Sequence, residues 1–142
     1  MQQKNYKKKS QISMEFLVIF GFVFLMILPL ILIYYDQLFF IKDEISENQI
    51  RNIMIKISDK AESIYFLGEP SQTIINVYFP ENIESINFTK NAVIFNYRTS
   101  KNLLHSIYYP LSINITGNIS TKPGIKKIVI KNENKSVVLE ER

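Results

Sequence analysis

Hydrophobic and polar positions divide the chain into stretches of different period. Residues 16–35 (FLVIFGFVFLMILPLILIYY) run without one charged side chain. A helix of that length rises about 30 Å, the thickness of a bilayer's hydrocarbon core, so the run predicts a transmembrane helix. Pro29 removes a backbone donor within it, and a bend or a loosened stretch is expected there. Beyond the run, Ile41, Ile45, Ile50, Ile53, Met54, Ile57, Ala61, Ile64 and Leu67 recur at helical spacing, and charged residues from Lys42 to Glu62 take the other face. Glu47 and Arg51 stand at the favourable i, i+4 spacing. Gly68 and Pro70 close the pattern, so one long helix is expected, apolar all round at first and striped later.

From Ser71 the period drops to two, the mark of strands. Thr73–Phe79, Ile86 with Phe88, Val93–Tyr97 and Leu103–Tyr109 are expected strands. Leu111, Ile113 and Ile115 alternate with polar residues, and Ile125–Lys131 and Ser136–Glu140 predict a hairpin across Asn132-Glu133-Asn134. Pro80, Pro110 and Pro123-Gly124 separate the runs. The predicted fold class is α+β: a long N-terminal helix followed by a small antiparallel sheet or sandwich. A strand domain this small has a thin core without disulfides, so Ile53, Ile57, Ala61 and Ile64 are expected to cover one side of the sheet.

Charge adds topology to this picture. Seventeen basic and thirteen acidic residues give +4 over the 142 positions, and Lys4, Lys7, Lys8 and Lys9 supply the whole excess. The rest of the chain has no net positive field, which argues against a nucleic-acid partner. Four lysines before the apolar run and Asp36 after it place the amino terminus in the cytoplasm and the segment beyond residue 40 outside. Tyr34 and Tyr35 fall at the outer interface. The first alanine is Ala61, so an ordinary signal peptidase has no A-x-A-like site. Two readings remain, an uncleaved signal anchor or a cut on the cytoplasmic side of the apolar run.

The junction itself reads Lys7-Lys8-Lys9-Ser10, then Gln11-Ile12-Ser13-Met14-Glu15. It resembles the class III signal peptide of archaeal type IV pilin-like proteins, whose Q-x-S-x-E motif follows a basic leader. The resemblance implies cleavage by a prepilin peptidase between Ser10 and Gln11, leaving Gln11 as the new amino terminus, Ser13 third and Glu15 fifth. Glycine commonly precedes the cut in that family, and this chain has Ser10. The helix-to-strand junction Gly68-Glu69-Pro70-Ser71-Gln72-Thr73 also resembles these proteins. The implied organisation is a leader over 1–10, a transmembrane and assembly helix over 11–40, an amphipathic extension over 41–68 and an extracellular β domain over 71–142.

A carboxylate beside an apolar helix is costly to embed, and cleavage would free an α-amine as a cation for Glu15 of the same or a neighbouring subunit. The expected function is a major or minor subunit of a surface filament used for adhesion. Its partners are the membrane, the peptidase, the pilus assembly machinery and other pilins, joined through the N-terminal helix. The alternative is a non-polymerising single-pass protein whose outer domain binds a partner.

Four N-x-[ST] triplets, at Asn87, Asn114, Asn118 and Asn134, exceed what composition alone predicts and mark candidate glycan acceptors. Asn87 and Asn114 alternate away from their apolar neighbours. With no cysteine and His105 as the one histidine, neither a zinc site of N and S ligands nor a His-based triad has its parts. His105 itself reads as a solvated residue between strands. No enzyme activity and no cofactor are expected.

Overall fold

The computed structural model describes residues 3–133 and 135–142, with side chains described from residue 14 onward. Among these described residues are one helix, α1 (Gln3–Leu67), and seven strands. Two compact units divide between Phe40 and Ile41.

The first unit is helix alone. Every described side chain from Met14 to Phe40 is exposed, including the large apolar ones that a water-soluble fold would bury. The helical backbone continues through Pro29, where a bend or loosening was expected. Phe16 and Phe20 stack one turn apart, with ring centroids 6.0 Å apart.

The second unit joins the rest of α1 to β1 (Gln72–Phe79), β2 (Ile83–Thr89), β3 (Ala92–Arg98), β4 (Leu104–Pro110), β5 (Ile115–Asn118), β6 (Gly124–Glu133) and β7 (Ser136–Glu141). The strands form a four-stranded sheet, β1-β6-β7-β5, and a three-stranded sheet, β2-β3-β4. The α+β class is therefore as expected. One pairing departs from the antiparallel expectation, because β5 runs parallel to β7. Gly117 permits this approach: a Cβ there would lie 2.6 Å from that of Leu139.

Alternation in the sequence misplaces two features. Leu111 and Ile113 are buried but belong to no strand, since an extended segment can turn apolar residues inward without a ladder partner. The hairpin is also tighter than a turn over residues 132–134 would make it. Asn132 pairs with Val137 and Glu133 with Ser136, so only positions 134 and 135 connect the strands, and Lys135 takes the left-handed region at φ 60. Asn132 is held in register by its side chain, whose Nδ2 donates to the carbonyls of Ile64 (3.3 Å) and Tyr65 (3.2 Å) at the end of α1.

Ile53, Ile57, Ala61 and Ile64 are buried with residues of both sheets, as expected, together with Ile50 and Met54. Phe79 and Phe95 meet edge to face at 6.0 Å between these layers. Polar bonds fix the helix at successive turns. Asp43 accepts from the backbone N–H and hydroxyl of Ser100, both at 2.7 Å. Glu47 accepts from the Tyr97 hydroxyl at 3.0 Å, Lys56 donates to the carbonyl of Asn76 at 2.8 Å, and Glu62 accepts from the Ser112 hydroxyl at 3.2 Å. Gly68 then ends the helix at φ 78, its N–H donating to the Tyr65 carbonyl.

Candidate functional site

The residues singled out at the expected processing junction lie in α1. Ser10, Gln11 and Ser13 have helical backbone, and their side chains lie outside the described residues. Glu15 is exposed. It stands on a surface of Met14, Val18 and Ile19, and among the described residues no hydrogen bond or ion pair reaches it. A carboxylate so placed keeps its capacity for a partner from another molecule. The apolar residues after it continue around the whole helix, so no one face is reserved for packing within the chain.

Three of the four candidate glycan acceptors are exposed: Asn87 within β2, Asn114 before β5 and Asn118 at its end. Asn134 lies outside the described residues. In two of the three triplets the hydroxyl residue is itself engaged. In the Asn87 triplet, Thr89 donates its hydroxyl to the Ala92 carbonyl at 3.0 Å. In the Asn118 triplet, Ser120 is exposed but bonded, with its N–H donating to Glu141 at 2.8 Å and its hydroxyl to the same carboxylate at 3.2 Å.

Two ionic clusters in the second unit were only partly legible in the sequence. Lys126 is buried, donates to Ser120 and pairs with Glu141 at 2.6 Å, with its Nζ 6.0 Å from the centre of the Phe79 ring. The hydrogen bond from Lys126 holds the Glu141 carboxyl below its ordinary value, and the bonds from Ser120 add to this. In the other cluster Arg51 pairs with Glu47 at 2.7 Å, as their spacing predicted, and Tyr97 joins them from β3. Arg51 first and Tyr97 second lower the Glu47 pKa. Burial first, then the bond to Glu47, pushes Tyr97 up to about 12. His105 lies within β4 rather than between strands. It is exposed, with its ring 5.8 Å from that of Tyr97.

An open groove of about 590 Å³ is lined by residues that include Lys42, Asp43, Tyr78, Asn82, Arg98 and Ser100. Within it Arg98 pairs with Glu84 at 2.6 Å, and Asp43 accepts from the Ser100 hydroxyl at 2.7 Å. No group of three His, Cys, Asp or Glu side chains suited to a metal ion occurs among the described residues.

No family model, curated protein or solved structure matches the chain. Its own features therefore carry the reading. Within Met14–Leu67 lies a segment long and apolar enough to cross a membrane, and none of that segment is buried within the chain. This suggests membrane association.

Proposed function

We propose that the chain is the precursor of a type IV pilin-like subunit of a surface filament. A prepilin peptidase removes residues 1–10, and the new amino terminus at Gln11 pairs with Glu15 of the same or a neighbouring subunit. The assembly machinery then packs the apolar helix among those of other subunits, with the β domain displayed outside the cell for adhesion. The observation that carries this reading is the Q-x-S-x-E motif set between a lysine cluster and an apolar helix whose side chains are all exposed. Exposure of that kind fits a lipid environment first and a helix bundle later, because in both the apolar surface leaves water. In this reading the protein is structural, takes no cofactor and performs no catalysis. Asn87, Asn114 and Asn118 offer surface positions for glycans.

The deciding experiment is the mass of the amino-terminal peptide from protein made alongside a prepilin peptidase. The proposal expects a chain beginning at Gln11. A chain that still begins at Met1 overturns it in favour of a membrane-tethered outer domain that does not polymerise.

A further inference from the structure

Six large apolar side chains between residues 72 and 142 are exposed: Ile74, Tyr78, Leu103, Leu104, Tyr108 and Ile125. Four of them gather at one end of the β domain. Leu103 and Leu104 follow the β3–β4 turn, while Tyr78 pairs with Ile125 beside the Phe79–Gly124 end of β1 and β6. The first group is tied to the start of the domain's helical part, and Tyr78 of the second lies by it. Ser100 in the β3–β4 turn is bonded through its N–H and hydroxyl to Asp43, and Tyr78 lines the same groove as Lys42 and Asp43.

Asp43 is three residues beyond Phe40, where the apolar unit ends, or about 5 Å of helix. The helix is still apolar at Leu38, Phe39, Phe40 and Ile41. The β3–β4 turn is therefore bonded to a residue only three positions after the apolar unit ends. A bilayer's headgroup layer is itself ~5–8 Å deep on each side, so a side chain pinned near Asp43 is within its reach.

The β3–β4 turn is also ordered in advance. Thr99 donates its N–H to the Leu103 carbonyl at 2.9 Å, Asn102 donates to the Thr99 carbonyl at 2.8 Å, and Arg98 donates to Asn102 Oδ1 at 3.2 Å. Asn102 takes a left-handed conformation at φ 63. Contacts made by such a turn lose little conformational entropy. Lys42, Lys101 and Lys122 are exposed at the same end, alongside the carboxylates of Glu81 and Glu84, and amphipathic lysines beside leucine suit an interface between acyl chains and phosphates.

We propose that this end of the β domain is a lipid-contacting base. Leu103, Leu104, Tyr78 and Ile125 rest in the headgroup layer of the membrane that the apolar helix enters, and Lys42, Lys101 and Lys122 meet lipid phosphates. The proposal rests on the membrane part of the functional reading and is independent of cleavage and filament assembly.

The cysteine-free chain allows single labelling positions. Leu103→Cys, Ile125→Cys and Lys90→Cys, each carrying an environment-sensitive fluorophore, are placed in the full chain and reconstituted in phosphatidylcholine–phosphatidylglycerol vesicles. Nitroxide on the lipid headgroup is the quencher. Lys90 lies in the turn between β2 and β3, at the opposite end of the domain. The expected result is severalfold stronger quenching and a blue-shifted emission at 103 and 125 relative to 90, unchanged when protein is diluted in lipid. Equal quenching at all three positions overturns the proposal. Quenching at 103 that vanishes on dilution also overturns it and indicates a second copy as the occupant. A probe at Phe24→Cys distinguishes the deeper failure: if acyl-chain nitroxide does not quench it, the membrane reading itself falls.

Discussion

Replacing Ile57 by alanine tests whether the helix is part of the β domain's core. Ile57 is fully buried, with Met54 and Ala61 equally enclosed on the same helix face. The substitution removes three carbons from a packed site. Their transfer alone is worth about 2.4 kcal/mol at ~0.8 kcal/mol per methylene. The cavity left behind raises the cost to roughly 3–4 kcal/mol, within the range for buried aliphatic residues cut to alanine. For a unit of about 100 residues each kcal/mol lowers the midpoint by about 4–8 °C, so a fall of roughly 12 °C or more is expected. Ile55 supplies the control, since it lies on the same helix and is 42% exposed. Ile55→Ala should cost less than about 1 kcal/mol. Thermal unfolding of the full chain in detergent micelles, followed by the near-ultraviolet signal of its tyrosines, reads both variants. Equal midpoints for the two would refute the reasoning, because the strands would then be holding themselves together without the helix.

Other outcomes follow from single side chains. Glu141→Gln removes the ionic partner of the buried Lys126 and, because Glu141 itself reaches solvent, should cost about 1–3 kcal/mol in unfolding experiments near neutral pH. Because the folded protein holds Glu141 below its ordinary pKa of 4.5, its contribution is complete above that value and is lost as pH falls towards and through the lower folded pKa. Glu47 acts in the same direction, so the midpoint of wild type should drop on acidification and Glu141→Gln should flatten part of that drop; identical slopes would argue against the pair. Ser58 is buried, and among the described residues its hydroxyl has no hydrogen-bond partner, so Ser58→Ala should raise stability by about 1 kcal/mol in the same melts. Gly117→Ala forces a Cβ against Leu139 and should destabilise by roughly 1–3 kcal/mol, whereas Gly21→Ala meets nothing within 4 Å and should leave the melt unchanged. Glu15→Ala should be processed normally yet sediment with filaments far less than wild type; equal filament yield would remove Glu15 from assembly.

How much of this was legible in the sequence depended on whether a residue's role is set by its neighbours in the chain. The helix was legible because its apolar run, its later stripe and its Gly68 stop are all local patterns. The core residues Ile53, Ile57, Ala61 and Ile64 were legible from spacing for the same reason. Partners distant in the chain were not. Tyr97 reaches Glu47 across fifty positions and Asp43 reaches Ser100 across fifty-seven, and no period encodes such meetings. The parallel pairing of β5 with β7 was hidden for a related reason, since alternation tells which face is buried and not which strand lies alongside. Lys126 looked like one lysine among many. Its burial follows from Glu141, fifteen residues later. At the proposed processing junction the sequence motif still says more than the fold, because in that reading its chemistry concerns a bond broken before the protein takes its final form.

The place of β7 has an effect on the order of events during biogenesis. It lies between β6 and β5, so β5 acquires a ladder neighbour only when Ser136–Glu141 has emerged, although β5 itself is made some twenty residues earlier. Until then the four-stranded sheet is open at its middle, and the long-range closure it needs is the slow kind. The chain would therefore stay pliable until Ser136–Glu141 had been made, and a product that stops short of Ser136 would carry an unpaired strand edge for quality-control proteases to find.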